Sequence, residues 1–177
     1  MLYIIGGLNG NDSVVDDVTI YDTVLGMYAP GPPLPVKLHR FAAAYDNSSR
    51  EIYVFGGLDE TDGGAVDSVF VLDVDREEWR AGPNLPSPRS DLCGAFVDGQ
   101  VYAVGGYSLD YTATLDTVEA LDLSTGEWNA VESMLTPRGD CKAAQVDGKL
   151  IVLGGYYDST GQWNPDAFRD EVELYSP

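Results

Sequence analysis

The chain has 177 residues, 44% of them hydrophobic, and a formal net charge of −19 from 29 acidic against 10 basic side chains. That balance makes nucleic acid and anionic membrane poor electrostatic partners and favours a cation or a basic protein surface. There is enough apolar material for a core, no apolar run of transmembrane length and no visible targeting signal, and a single histidine with two cysteines excludes metal sites built on several His or Cys ligands.

The first predicted element is the apolar run Leu2-Tyr3-Ile4-Ile5, which ends in Gly6-Gly7. The same device returns as Ile52-Tyr53-Val54-Phe55 before Gly56-Gly57, Val101-Tyr102-Ala103-Val104 before Gly105-Gly106, and Leu150-Ile151-Val152-Leu153 before Gly154-Gly155. The doublets are spaced by 50, 49 and 49 residues, so one supersecondary unit is repeated. Other landmarks keep that register. Tyr21-Asp22, Leu72-Asp73 and Leu121-Asp122 precede an aromatic at Tyr28, Trp79 and Trp128, and Arg40, Arg89 and Arg138 each stand 16 residues before the next doublet.

The third unit is the clearest. Strand a is expected over Cys93–Val97, closed by Asp98-Gly99 as a type I′ hairpin, and strand b over Val101–Gly105. Strand c follows over Thr117–Asp122, then the turn Ser124-Thr125-Gly126 and strand d over Glu127–Val131. No segment has the apolar spacing of an amphipathic helix, so the chain is expected to be all-β. Trp79 and Trp128 are expected to pack between repeats, and Trp128→Ala to cost about 3–5 kcal/mol.

An apolar run ending in Gly-Gly, an acid-initiated strand such as Asp116–Asp122, a Trp and then a Pro-Arg or His-Arg turn resemble the Kelch repeat. The segment Leu135–Gly155 is similar to the Kelch repeats of ubiquitin-ligase substrate adaptors, and the resemblance covers essentially the whole chain. It implies Kelch-type β-propeller blades of four strands. Residues 1–38 then form a partial blade (b, c, d), 39–87 and 88–136 two full blades, and 137–177 a partial blade (a, b, c), giving 14 strands or about three and a half units. Three completions stay open: a longer polypeptide, two chains joined head to tail into a ring of roughly eight blades, and a closed four-bladed propeller.

The expected function is a protein-interaction module or assembly subunit; the alternative is an enzyme with its site at the propeller mouth, such as a sugar epimerase or specifier-type lyase. The first is preferred because catalytic patterns are missing. His39 has no nucleophile-elbow serine to partner it, and the copper-radical oxidases that use Kelch-type propellers need two histidines. No cofactor is implied. The b–c loops vary in content, and rigid strands carrying variable loops are a common binding surface. The third and fourth loops supply Tyr107, Asp110, Tyr111, Tyr157, Asp158 and Trp163 as candidate partner contacts. Arg40, Arg89 and Arg138 are expected on the same face. The resemblance implies partner contact for them, while their surroundings favour pairing with loop carboxylates. The partner is expected to be a protein with a basic surface. An acidic stretch, Asp59-Glu60-Thr61-Asp62-Gly63-Gly64, departs from the EF-hand pattern, so no metal site is assigned. Cys93 and Cys141 are read as buried free thiols, consistent with a reducing, cytoplasmic location.

Overall fold

Alternating apolar residues punctuated by turn glycines give antiparallel strands along the chain. The computed structural model describes residues 1–59, 64–109, 113–157, 167–168 and 170–175. The first unit forms β1 (Leu2–Ile5), β2 (Val18–Asp22) and β3 (Met27–Pro30). The second forms β4 (Leu38–His39), β5 (Ala42–Asp46), β6 (Glu51–Phe55), β7 (Leu58–Asp59), β8 (Val69–Asp73) and β9 (Glu78–Ala81). The third forms β10 (Arg89–Ser90), β11 (Cys93–Val97), β12 (Gln100–Val104), β13 (Tyr107–Ser108), β14 (Val118–Asp122) and β15 (Glu127–Ala130). The fourth forms β16 (Lys142–Val146), β17 (Lys149–Leu153) and β18 (Val172–Tyr175).

These strands make four antiparallel sheets, β1-β2-β3, β5-β6-β8-β9, β11-β12-β14-β15 and β16-β17-β18, with no α-helix among the described residues. The described strands number 18 where 14 were expected. The excess is two short ribbons, β4-β7 and β10-β13, each tying the turn that enters a sheet to that sheet's own b–c loop. The fourth unit repeats this tie as a single bridge, Gly139 to Tyr156.

Each turn has a local cause. Asp98 and Gly99 take φ of 47° and 85°, the double positive φ of a type I′ hairpin. At the c–d turns the repeated aspartates cap the backbone: Asp22 Oδ1 accepts from the Val24 and Leu25 amides at 2.8 and 2.9 Å. Asp73 and Asp122 do the same for Asp75 and Ser124 at 3.0 and 2.8 Å.

Consecutive sheets pack face to face. Leu34, Leu38, Ile52, Val54 and Leu72 fill the first seam, backed by Tyr3 and Ile5. Tyr53, Phe55, Val69 and Val71 meet Val101, Ala103 and Leu121 in the second. Val97, Tyr102, Val104 and Val118 meet Leu150 and Val152 in the third. The doublets knit these seams. Gly7, Gly57 and Gly106 donate their amides to the carbonyls of Leu38, Arg89 and Arg138 in the next unit, each at 2.9 Å. A Cβ at Gly56, where φ is +64°, would stand 2.7 Å from the Arg89 carbonyl oxygen, so only glycine fits. The tryptophans span the seams as expected, though half-buried: Trp79 Nε1 donates to the Pro32 carbonyl and Trp128 Nε1 to the Pro83 carbonyl, both at 2.9 Å.

The cysteine reading is corrected. Cys93 and Cys141 are joined by a disulfide with Cα atoms 5.5 Å apart, and among the described residues no cysteine is free. Two cysteines 48 residues apart become neighbours because seam packing sets the start of one a strand beside the residue before the next. The thiol argument for a reducing compartment falls with it.

Candidate interaction surface at the loop face

The turns entering the second, third and fourth sheets share a backbone trait. Arg40, Asp91 and Asp140 all adopt left-handed conformations, with φ of 56°, 52° and 53°. They are linked in series: the Asp91 amide donates to the Arg40 carbonyl and the Asp140 amide to the Asp91 carbonyl, both at 2.8 Å. The result is an inner rim running from sheet to sheet. The ribbons place the b–c loops against this rim, because Ser90 pairs with Tyr107 and His39 with Leu58.

This geometry separates three arginines that the sequence spacing equates. The backbone partner of the doublets is Leu38, Arg89 and Arg138, so the structural counterpart of Arg89 and Arg138 is Leu38, and that of Arg40 is Asp91. The cause is the a–b hairpin. The β5–β6 connection spans Asn47 to Arg50, two residues more than Asp98-Gly99, and its extra length cancels a two-residue offset in the count. Asp46 accepts from the Ser48 amide at 2.7 Å and the Ser49 hydroxyl at 2.8 Å, which holds that longer turn.

Arg89 and Arg138 are therefore not surface contacts, a correction to the expectation above. Arg89 is 1% exposed, with the Glu119 carboxylate 3.0 Å away and bonds to Thr117 Oγ1, the Gly105 carbonyl and Ser87 Oγ. Burial lowers the Arg89 guanidinium and raises the Glu119 carboxyl, each shift opposed by the partner's charge. Among the described residues Arg89 Nε and Glu119 Oε2 make no aligned hydrogen bond, so this pair is a charge contact more than a directional one. Arg138 is fully buried; it pairs with Glu173 and donates to the Gly154 carbonyl at 2.9 Å. Both side chains lock the entering turn to strand c and the doublet, pairing with carboxylates of strand c and not with the loop carboxylates expected.

Arg40 does reach the rim. Its guanidinium is half exposed and lies 3.1 Å from the buried Asp91 carboxylate, which also accepts from Ser90 Oγ at 3.0 Å. Asp140 is exposed, and Tyr107 Oη approaches its carboxylate at 3.4 Å. Partial desolvation of the carboxyl on its rim side, then the neighbouring Asp91, push Asp140 above the usual carboxylate range although the residue as a whole is exposed, against the pull of Arg40. Burial and the Asp140 charge raise the Tyr107 phenol in turn. His39 is drawn below the ordinary imidazole range by burial and by Arg40. The mouth thus holds two carboxylates, one guanidinium and a phenol within one bonded network.

Of the expected loop contacts, Tyr107 joins this network and Tyr157 lies nearby, half-buried, its amide donating to the Ala167 carbonyl at 3.1 Å. Asp110, Tyr111, Asp158 and Trp163 lie outside the described residues. The acidic stretch from Asp59 also falls outside them from 60 to 63, and among the described residues no three His, Cys, Asp or Glu side chains gather to hold a metal ion. Asp91 and Asp140 were missed. Their signal was present as Arg-Ser-Asp at 89–91 and Arg-Gly-Asp at 138–140, obscured by the abundance of acids.

A family model described as the KLHDC2/KLHL20/DRC7 Kelch-repeats domain matches residues 1–170. Face-packed antiparallel sheets, doublets bonded across every seam, and a match over nearly the whole length agree, and the chain belongs to this Kelch-repeat family.

Proposed function

We propose that the protein binds a protein partner with a basic surface at the loop face, centred on Asp91 and Asp140 and flanked by the b–c loops. Kelch-repeat domains are typically protein-interaction modules, which supports this class of function. The observation that carries the finer reading is the rim itself. Two carboxylates, Asp91 and Asp140, stand on adjoining turns beside the Arg40 guanidinium, which pairs with Asp91, within a chain of net charge −19. A lysine or arginine side chain arriving there offsets the mutual repulsion of Asp91 and Asp140, and Tyr107 beside it supplies an aromatic edge.

Completion of the ring belongs to the same reading. Leu2, Ile4 and Tyr28 on the first sheet and Leu153, Val172 and Leu174 on the fourth are exposed on outward faces. At equivalent positions the inner seams bury apolar side chains, which supports further blades, or a second copy, packing there.

A peptide array spanning charge and sequence tests the interaction reading. Bound peptides should be enriched in Lys and Arg, lose signal as salt rises, and be lost when Tyr107, Tyr111 and Trp163 are replaced together. Enrichment of acidic or neutral peptides, or capture that survives the triple replacement, contradicts it.

A further inference from the structure

Resting on the loop-face reading above, we propose that the Cys93–Cys141 disulfide is a redox-cleavable staple that sets how firmly the fourth sheet holds Gly139 and Tyr156, the root of its b–c loop, at the binding face. The staple ends next to the loop anchor. Cys141 follows Asp140 directly, and Gly139, two residues before the cysteine, exchanges two backbone hydrogen bonds with Tyr156 at 3.0 and 2.8 Å. Tyr156 opens the fourth b–c loop and stacks edge-on with Phe168, ring centroids 5.4 Å apart. A Cβ built on Gly155 would touch the Cys141 Cβ at 3.3 Å, so cysteine, turn and loop root form one packed unit.

The fourth sheet has a neighbouring sheet on one face only among the described residues, so all of its cross-sheet anchoring, the staple included, lies in this one seam. Its a strand, β16, is largely exposed, whereas in β5 and β11 alternate residues are buried. Among the described residues, and apart from the apolar cluster, three backbone bonds tie this sheet to the third unit: Gly106 to Arg138, Asp140 to Asp91 and Arg138 to Leu115. Cleavage needs a dithiol reductant. One thiolate of the dithiol attacks a protein sulfur, the Cys93–Cys141 bond breaks and a mixed disulfide forms. The second thiolate resolves it, leaving two protein thiols that carry the two protons, and the reductant as a disulfide. Cys93 and Cys141 are 4% and 2% exposed, so attack passes through transient opening of the seam.

Hydrogen exchange of the oxidised protein and of the protein treated with dithiothreitol tests this. Reduction should speed exchange over residues 149–156 at least tenfold and leave residues 42–55 unchanged, the latter showing that the rest stays folded. Equal rates over 149–156 overturn the proposal, as does free alkylation of both cysteines without reductant. A Cys141→Ser variant should match the reduced protein and ignore dithiothreitol. Binding of a Lys/Arg-rich peptide, followed alongside, should weaken at least threefold on reduction; unchanged affinity with faster exchange overturns the link to the face. An oxidised protein that binds no such peptide, yet shows the exchange difference, sinks the interaction reading and leaves the staple standing.

Discussion

The second–third and third–fourth seams share one backbone frame and differ in what their side chains do. In both, a doublet glycine donates to the carbonyl of a buried arginine in the next unit, Gly57 to Arg89 and Gly106 to Arg138. The second–third seam adds Trp128 against Phe55, ring centroids 6.1 Å apart, and the Arg40–Asp91 ion pair at the rim. The third–fourth seam has its own aromatic pair, Tyr102 against Tyr175 at the same 6.1 Å, and carries the disulfide as well, and at the rim two acids meet where the other seam has opposite charges. The repeat therefore conserves its backbone bonds inside one chain and leaves the side chains at the mouth free to vary, which is where a binding surface can be written without disturbing the fold.

Breaking the shared frame should have the largest effect. Gly105→Ala places a Cβ against the Arg138 carbonyl oxygen at φ +60°, and should cost about 3 kcal/mol or more in denaturant unfolding. Gly126→Ala is the control: φ is +68° to +74° at the equivalent turns Gly26 and Gly126, with open space around Gly126, and the cost should be only about 1 kcal/mol. The arginines come next. Arg138→Ala strands the Glu173 carboxylate and should cost about 3 kcal/mol, whereas Arg40→Ala, at a half-exposed pair, should cost under about 1 kcal/mol. Equal losses would restore the equivalence suggested by spacing. Trp128→Ala should cost about 2–3 kcal/mol, below the fully buried expectation because the ring is half-buried.

The smallest effect is the pH dependence of the rim. The Asp140 carboxyl is raised in the folded state, so the unfolded chain gives up this proton first. Stability from this group is present below the unfolded carboxyl range and declines as pH rises through the folded value. Asp140→Asn should remove that decline and raise Tm slightly at neutral pH while changing little in acid. A variant less stable than the parent at neutral pH would show that the Asp91 repulsion is not what governs the site.

The repeat, the strands of the third unit and the all-β class could be read from the residues because each rests on a local cause. Doublet glycines, Asp-Gly hairpins and strand alternation leave their marks within a few residues. The Cys93–Val97 strand matches the expectation residue for residue, and β12, β14 and β15 shift by a residue or so at their ends. The misreadings were non-local. Spacing equated Arg40 with Arg89 because the longer β5–β6 turn hid an offset that only cross-seam hydrogen bonds expose. The disulfide joins residues in different sheets, and no spacing rule names such a pair. The Asp91–Asp140 rim likewise exists only once neighbouring turns are stacked.

The most direct test of the acidic rim is fluorescence anisotropy of one labelled Lys/Arg-rich peptide against the parent, Arg40→Ala and Asp140→Asn proteins at low salt. Opposite responses are expected: Arg40→Ala, by removing the resident cation beside Asp91, tightens binding several-fold, and Asp140→Asn weakens it about tenfold. Weaker binding by Arg40→Ala, or no response to either change, would contradict a basic partner at this rim.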